Sequence, residues 1–303
     1  MILVTGATGR IGSQVVRALR QIDIDVVALV RKGSEYFWLN DTGCRFHFGD
    51  LRDPVSLRRA CKDAQYIVVC SGLPRETRGN THHATTIEGH QQLFGYSENA
   101  QRIVLLSCIG AGPEATGIGF RARWEAEEHL RNSGREFAIL RPGLHEFFFL
   151  DMAWQAVDRG ETRLAGPATN TVRPVSTVDL ARMAAASLDL PHLKNRTLDV
   201  SGPQALTLLE AYGLACREVG VEPRTRPMPR RALRMASRLG GPFRPLAYQL
   251  DELTTWHSVD QDAPAEPLRE TFGFDPSPIE IAIERAASEM RIMRDPEARE
   301  SKM

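Results

Sequence analysis

The chain has 303 residues, 42% hydrophobic and 25% charged, so it can bury the core of one large α/β domain, with or without an appendage. Its 38 basic and 38 acidic residues cancel to a formal net charge of zero, which gives no reason to expect nucleic acid as a partner. The first residues lack the basic and apolar segments of a signal peptide, and no apolar run approaches the roughly 18 residues of a membrane span. We therefore expect a cytoplasmic protein that does not insert into membranes.

Cysteines and histidines give no pattern typical of a metal site. The five cysteines are scattered singly, without a C-x-x-C pair: Cys44, Cys61, Cys70, Cys108 and Cys216. This spacing favours reduced, buried thiols over disulfides or zinc. His82 and His83 are adjacent, so their side chains point in different directions, and no third ligand is evident. The sequence predicts no metal.

Short apolar runs alternate with amphipathic stretches along the first 200 residues. The apolar runs predict strands buried on both faces of a sheet, at residues 2–4, 26–30, 46–48, 67–70, 103–106, 137–140 and 197–200. The amphipathic stretches predict helices, at residues 10–20, 54–61, 84–99 and 121–132. Gly134 follows the last of these, where a helix C-terminus favours positive φ. The alternation predicts an α/β fold, a doubly wound parallel Rossmann sheet of about seven strands.

The composition changes after Ser201-Gly202-Pro203. Residues 206–219 are predicted to be helical, and five prolines then interrupt a basic, strand-poor stretch at residues 223–245. We expect a Rossmann core at 1–202, a small, mostly helical C-terminal cap that contacts substrate at 203–295, and a frayed tail at 296–303. The arginines of the basic stretch are typical of a solvated surface, and nucleic-acid binding is the alternative that the neutral total charge disfavours.

A glycine-rich turn, TGATGR at residues 5–10, joins the first predicted strand to the first predicted helix. Gly6, Gly9 and Gly12 form G-x-x-G-x-x-G, which lets backbone amides and the helix N-terminus face a pyrophosphate. In this context the motif predicts dinucleotide binding rather than a purely structural turn. The expected contacts come from the whole segment, namely Gly6, Thr8, Gly9, Arg10, Ile11 and Gly12.

The end of the second strand indicates which dinucleotide binds. An NAD-specific site usually places an acidic residue about twenty residues past the glycines, to hold the ribose 2′-hydroxyl. This chain has VALVRKGS there, so Arg31 and Lys32 would attract a 2′-phosphate instead. The sequence favours NADP(H). NAD(H) is the alternative, in which Arg31 stacks on the adenine or caps the sheet edge.

Seven motifs follow in the order seen in atypical short-chain dehydrogenase/reductases: TGATGRIG, VRK, GDLRD, LLSCIGA, RWEAEEHLRNSG, FAILRPG and PVSTVDLARMAAASL. More narrowly, the chain resembles the NmrA-like group of NAD(P)H-binding proteins over about residues 1–220. The resemblance implies three pairs along the cofactor: Asp50 with Leu51 beside the adenine, Ser71 with Gly72 beside the adenosine and ribose, and Pro142 with Gly143 at the nicotinamide.

The chain departs from the wider superfamily at the catalytic helix. Reducing members use a tyrosine and a lysine in Y-x-x-x-K, the lysine lowering the tyrosine pKa so that it can protonate a carbonyl. Alignment on Glu127-Glu128 places Arg123 at the lysine position and Gly119 at the tyrosine position, and the adjacent Phe120 has no hydroxyl. Arg123 could hold the nicotinamide ribose, but the pKa of a guanidinium is too high for acid/base work.

Two other residues are candidates for catalysis. Ser107 matches a serine that polarises the substrate carbonyl in the superfamily, or else its hydroxyl closes the last hydrogen bonds of the strand. His145 follows LRPG, in the loop that faces the nicotinamide in related folds, and could donate a proton. Its alternative role is packing or hydrogen bonding.

The segment HEFFFLDMAW supplies bulky apolar side chains near the predicted active cleft. Phe147 and Phe148 could line it, with core packing as the alternative. A cleft with aromatic walls would take a flat or hydrophobic substrate such as a quinone, a flavin or a polycyclic molecule. Reduction of a conjugated ring needs less from a tyrosine, because water can protonate the product.

Two functions therefore stay open from the sequence. One is an NADPH-dependent reductase of a hydrophobic small molecule, and the other is an NADP(H)-binding regulator or redox sensor that acts through a protein partner. A scaffold that uses the fold only as a shape is disfavoured, since it needs neither the glycine turn nor Arg31-Lys32. Homodimerisation is possible under either function.

Overall fold

A computed structural model describes residues 1–73, 76–77, 79–238, 244–257, 259, 261 and 268–295. The chain divides into two compact units. The first comprises Met1–Pro142 with Val178–Asp199, and the second comprises Gly143–Thr177 with Val200–Met303. The domain boundary expected at residue 202 stays a prediction. The tail expected to fray, at 296–303, and residues 239–243 of the basic stretch lie outside the described residues.

The seven apolar runs predicted from the sequence correspond to the first six strands of the described chain and to the ninth. In chain order the strands are β1 Ile2–Thr5, β2 Val26–Val30, β3 Arg45–Phe48, β4 Tyr66–Val69, β5 Arg102–Leu106, β6 Phe137–Pro142, β7 Thr162–Ala165, β8 Thr171–Val172, β9 Arg196–Val200, β10 Leu206–Thr207 and β11 Thr225–Met228. A seven-stranded sheet has the order β3-β2-β1-β4-β5-β6-β9, and its neighbouring pairs from β3 to β6 are parallel. The doubly wound Rossmann sheet is confirmed.

Helices follow most strands. They are α1 Arg10–Gln21, α2 Pro54–Cys61, α3 Gly89–Gly95, α4 Ile118–Arg131, α5 Glu146–Arg159, α6 Thr177–Ala186, α7 Leu208–Val219, α8 Arg230–Ala236, α9 Arg244–Trp256, α10 Leu268–Phe272 and α11 Ile279–Arg294. The helix predicted at 84–99 is a π-helix, His83–Glu88, that continues into α3. Gly134, after α4, has φ +72° as expected.

The core of the first unit explains why its strands are apolar throughout. Leu3, Ile67, Leu105 and Ile139, on four neighbouring strands, are buried in one cluster that helix residues such as Leu57 also join. The strands are buried on both faces, so only a continuous apolar run can fill them. This burial fixes the sheet whose edge forms the site described below.

In the second unit, α5, α7 and α11 share one apolar cluster around the buried Tyr212. The basic stretch expected to be strand-poor contains β11, which pairs in parallel with β7. Arg230, in the same stretch, donates to the carbonyl oxygens of Ala165 at 3.0 Å and His257 at 2.9 Å, so this arginine has a structural role.

Among the described helices of the chain, none combines the length and apolar character needed to cross a membrane.

Candidate cofactor site

The site lies at the edge of the sheet where β1 to β4 end. The parallel register places Thr5, the last residue of β1, beside Val69 at the end of β4. β2 and then β3 lie on one side of β1 in the sheet, whereas β4 and then β5 lie on the other side. A doubly wound sheet opens a crevice at such a reversal, outside the carboxyl ends of its strands.

The glycine turn packs tightly between β4 and α1. Gly6 has φ +66°, and a β-carbon on it would lie 2.6 Å from the backbone of Ser71. A β-carbon on Gly12 would lie 2.1 Å from the Gly6 carbonyl oxygen, while one on Gly9 would lie 3.2 Å from it. Gly6 and Gly12 are thus required by the turn itself, which keeps the N-terminus of α1 open toward the crevice.

A cleft of about 1190 Å³ occupies this crevice, a volume ample for a dinucleotide. It brings together most of the residues expected to bind the cofactor: Gly6, Thr8, Gly9, Arg31, Lys32, Asp50, Leu51, Ser71 and Gly72. Arg10, Ile11 and Gly12 form the first turn of α1. Pro142 ends β6 in the first unit, and Gly143 belongs to the second unit.

A basic turn borders the cleft directly after β2. Arg31 and Lys32 are exposed and line the cleft together with Ser34. Gly33 has φ +81°, and the Ser34 amide donates to the Arg31 carbonyl at 2.9 Å, which closes a tight turn. Two cations and a hydroxyl are therefore held within four residues, a donor set suited to a phosphate.

Asp50, expected beside the adenine, is held by a neighbouring arginine that the sequence did not single out. Arg52 donates to both carboxylate oxygens of Asp50, at 2.9 and 2.6 Å, and this pairing lowers the pKa of Asp50. Asp53 caps α2 by accepting from the Val55 amide at 3.0 Å. Arg52 compensates the charge of Asp50 locally, whereas Arg31 and Lys32 add positive charge to the lining of the cleft.

Beneath the cleft lies a buried polar chain that sequence reasoning missed. The Ser71 hydroxyl is 2.9 Å from the Thr5 hydroxyl and 2.8 Å from Nε2 of His90. Burial, followed by the charge of Arg123, lowers the pKa of His90 to about 4. A histidine within an amphipathic run carries no sequence signal of its own, and only the packing of α3 shows its contact with Ser71.

Comparison with known proteins adds the family. Residues 6–191, more than half of the chain, match the model of the NAD(P)H-binding family. The chain belongs to this NAD(P)H-binding family. The match confirms NAD(P)H as the cofactor and, with the relatives below, the resemblance to the NmrA-like group of atypical short-chain dehydrogenase/reductases.

Proteins named as reductases are similar to this chain. An NAD(P)H azoreductase of Xenophilus azovorans is 30% identical over 211 residues, which are 68% of this chain and 70% of the relative. An NADPH-dependent quinone oxidoreductase of Escherichia coli, solved with NADPH, has a TM-score of 0.72 at 19% identity and covers 95% of this chain and 100% of its own. A Citrobacter sp. triphenylmethane reductase, solved with NADP(H), has a TM-score of 0.70 at 20% identity, covering 94% and 99%. The two solved structures show that the fold is shared.

The alignment on Glu127-Glu128 predicts α4 as the catalytic helix, and the residues at and beside the expected tyrosine position, Gly119 and Phe120, carry no hydroxyl. Gly119 and Phe120 are both buried there. Arg123 donates to the Gly119 carbonyl at 3.2 Å, and a β-carbon on Gly72 would lie 3.6 Å from Nη2 of Arg123. The guanidinium of Arg123 therefore lies over the end of β4, beside the cleft.

Ser107 follows β5 and is buried. Its amide donates to the Leu140 carbonyl at 2.8 Å, so the backbone closes the strand at this point. The Ser107 hydroxyl has no hydrogen-bond partner among the residues that the structure describes. A buried hydroxyl without a protein partner is uncommon and calls for an explanation.

The remaining candidates lie in the second unit. His145 occupies the N-cap position of α5, without a capping hydrogen bond from its side chain, and forms a parallel bridge with Val175. Phe147, only 3% exposed, packs in the apolar cluster of this unit, as the core-packing alternative expected. Phe148 is half-buried and its ring contacts those of Trp256 and His257, with centroids 6.3 and 5.9 Å away.

Glu146, beside His145, is a buried carboxyl that the sequence did not mark. The Thr177 amide donates to its two oxygens at 3.1 and 3.0 Å. Burial outweighs these hydrogen bonds and raises the pKa of Glu146 to about 7. The carboxyl joins the start of α5 to the start of α6.

The adjacent histidines expected not to bind metal differ in environment. His82 is buried, with Nδ1 3.0 Å from the Thr86 hydroxyl, and burial lowers its pKa to about 3. His83 is exposed, and its Nε2 lies 3.7 Å from a carboxylate oxygen of Glu88. Within the described ranges, no group of three or more His, Cys, Asp or Glu residues could hold a metal ion.

Proposed function

We propose that this protein is an NADPH-dependent reductase of a hydrophobic or aromatic small molecule. The observation that carries the proposal is the pair Arg31 and Lys32 on the cleft, where an NAD-specific site would have a carboxylate. A guanidinium next to an ammonium favours the 2′-phosphate of NADPH over the free ribose hydroxyl of NADH. Membership of the NAD(P)H-binding family supports the cofactor class.

The chain's own residues suggest how the cofactor would be held. The turn from Gly6 to Gly12 would bind the pyrophosphate, Asp50 and Leu51 would border the adenine, and Gly72 would pass beside the ribose. Arg123, over Gly72, is a donor for the nicotinamide ribose. When bound, NADPH supplies a hydride to the acceptor.

The groups that would act on the acceptor are Ser107 and His145. The Ser107 hydroxyl, which lacks a partner in the described chain, can donate to an acceptor oxygen or nitrogen. His145 can supply the proton that accompanies hydride transfer, a role for which an imidazole is suited near neutral pH. Phe148, which is half-buried, is the aromatic side chain proposed to contact a substrate, since Phe147 packs in the core.

The missing tyrosine narrows the acceptor class. Gly119 cannot protonate an alkoxide, so simple ketones are poor candidates. The similar proteins are named as azo, quinone and triphenylmethane reductases, and the oxidised forms of these acceptors are conjugated. A conjugated acceptor delocalises the charge that arrives with the hydride, so protonation by His145 or water suffices.

The test is the decay of NADPH absorbance in the presence of azo dyes, quinones, triphenylmethane dyes and, for comparison, aliphatic ketones. We expect turnover with conjugated acceptors only. His145→Gln should lower kcat about a hundredfold with KM nearly unchanged, because general acid catalysis contributes roughly 10² to 10⁴. His83→Gln, on an exposed histidine of the π-helix, is the matched control. Turnover of ketones at equal rates would contradict the proposed acceptor class.

A non-catalytic regulator is the second candidate, because the tyrosine position holds Gly119. In that case NADPH would bind with micromolar affinity and no acceptor would accelerate its oxidation. Copurification of a protein partner that dissociates when NADPH replaces NADP⁺ would favour this function. Turnover of one acceptor by the purified chain would exclude a purely regulatory role.

A further inference from the structure

The polar chain Thr5, Ser71 and His90 lies within the first unit and reaches the cleft only through Ser71. Thr5 is fully buried, and among the described residues its hydroxyl contacts one polar atom, the Ser71 hydroxyl oxygen at 2.9 Å. A buried hydroxyl hydrogen without an acceptor is costly. Thr5 therefore donates its hydrogen to Ser71.

His90 constrains the other side of Ser71. Its Nε2 is 2.8 Å from the Ser71 hydroxyl oxygen, and its Nδ1 has no partner within the part of the chain that the structure describes. If Nδ1 carried the hydrogen, a buried N–H would lack an acceptor, whereas a bare nitrogen leaves only a lone pair. Burial and the positive charge of Arg123 both favour the neutral ring. The neutral ring therefore carries its hydrogen on Nε2 and donates it to Ser71.

A serine hydroxyl has one hydrogen and accepts at most two hydrogen bonds. Thr5 and His90 occupy both acceptor positions of Ser71, so its own hydrogen is left without a protein acceptor. Ser71 lines the cleft, and its backbone abuts Gly6 of the phosphate-binding turn. The free hydrogen therefore faces the space that the nucleotide would fill.

We propose that Thr5 and His90 are positioning residues that fix the Ser71 hydroxyl as a hydrogen-bond donor toward an acceptor oxygen of the nucleotide's ribose or pyrophosphate. This inference rests on the proposed use of the cleft by NADPH. It assigns His90, which touches no ligand itself, a role in cofactor affinity. It also explains why a polar chain is buried beneath the end of β4.

The first test is the tautomer of His90 in the wild-type protein. Nitrogen-15 NMR of protein labelled at histidine distinguishes a protonated ring nitrogen from a bare one, and His90→Gln identifies the His90 signals. We expect Nε2 to be protonated and Nδ1 to be bare, both without nucleotide and with saturating NADPH. A hydrogen on Nδ1 in the free protein would overturn the proposal.

The second test is NADPH affinity in variants of the chain. Ser71→Ala should weaken NADPH binding roughly tenfold and His90→Leu roughly threefold, in the range expected for one hydrogen bond. His90→Gln keeps an N–H donor of similar size and should stay within about twofold of wild type. In a Ser71→Ala background, His90→Leu should cause no further loss.

Equal affinity of His90→Gln and His90→Leu would overturn the proposal, as would a further loss in the double variant. Both outcomes would show that His90 acts through packing alone. These results are independent of turnover. A wild-type protein with the Nε2 tautomer and no activity on any acceptor would refute the reductase but not the role of His90. A wild-type protein with the Nδ1 tautomer and turnover of an acceptor would refute only the role of His90.

Discussion

At the scale of single residues, Arg31 should decide the preference between the two nicotinamide dinucleotides. Arg31→Ala removes a charge-assisted contact to the 2′-phosphate, so we expect NADPH affinity to fall about 30-fold and NADH affinity less than threefold. The dissociation constants of both nucleotides, measured by titration, give this ratio. Arg59→Ala, on the exposed face of α2, is the control and should leave both unchanged. An equal loss for NADPH and NADH would show that Arg31 stacks on the adenine instead.

Gly12 should be far less tolerant of a side chain than a helical glycine in open space. A β-carbon on Gly12 would lie 2.1 Å from the Gly6 carbonyl oxygen, so Gly12→Ala must displace the turn or α1. We expect the free energy of unfolding to fall by roughly 3 kcal/mol or more, measured by urea denaturation. A β-carbon on Gly95, in α3, would meet no neighbouring atom within 4 Å, and Gly95→Ala should be neutral or stabilising by up to about 1 kcal/mol. Similar losses in both variants would contradict a steric requirement for glycine at position 12.

At the scale of elements, α3 buries a histidine whose titration opposes folding. The pKa of His90 is about 4 in the folded protein, below the ordinary value of 6.5. Because the pKa of His90 is lowered in the folded state, the unfolded state binds the proton more readily. The contribution of His90 to the free energy of unfolding is therefore complete above pH 6.5 and is lost as the pH falls toward 4. One buried histidine shifted this far accounts for about 3 kcal/mol over that range.

We therefore expect the stability of His90→Leu to depend less steeply on pH than that of the wild type between pH 6.5 and 4.5. Urea denaturation at several pH values gives the difference, in which titrating groups that do not interact with His90 cancel. His83→Leu, on the exposed neighbour of His82, should run parallel to the wild type. A parallel curve for His90→Leu would mean that His90 is accessible to water in the folded state.

The central strands could be predicted from the sequence because burial on both faces demands continuous apolar runs. Every predicted strand from 2–4 to 197–200 overlaps an observed one. β7 and β11 could not be predicted in this way. Each mixes polar and apolar residues, β11 contains Pro227, and the two strands lie about sixty residues apart in the chain. Their pairing depends on packing within the second unit, which no local pattern encodes.

The glycine turn and the basic turn of the site could also be predicted, since both lie next to a strand end and have a local signature. The pairing of Asp50 with Arg52 and the chain from Thr5 through Ser71 to His90 could not. Each depends on side-chain contacts, and the second joins residues up to 66 positions apart in sequence. Ser71 appeared only as a position that the family places beside the ribose, without the partners that orient it.

At the scale of the whole molecule, nucleotide binding should stabilise the folded protein and show where the nucleotide lies. A ligand at a hundred times its dissociation constant adds about 2.7 kcal/mol to the free energy of unfolding. We expect hydrogen exchange to slow on NADPH addition in the segments of the first unit that border the cleft, at residues 5–12, 31–34, 49–53 and 71–73. Helix α11, in the core of the second unit, is the internal reference and should exchange at an unchanged local rate.

Hydrogen exchange at residues 143–145 also tests whether this segment lies at the nicotinamide, where we propose that catalysis takes place. The family resemblance assigns Gly143 to the nicotinamide, and we propose that His145 protonates the acceptor. If so, NADPH should slow exchange at these residues, while 2′,5′-ADP, which lacks the nicotinamide, should protect the cleft segments but leave 143–145 unchanged. Equal protection of 143–145 by both ligands, or protection by neither, would separate His145 from the chemistry and leave Ser107 and Arg123 as the residues to test next.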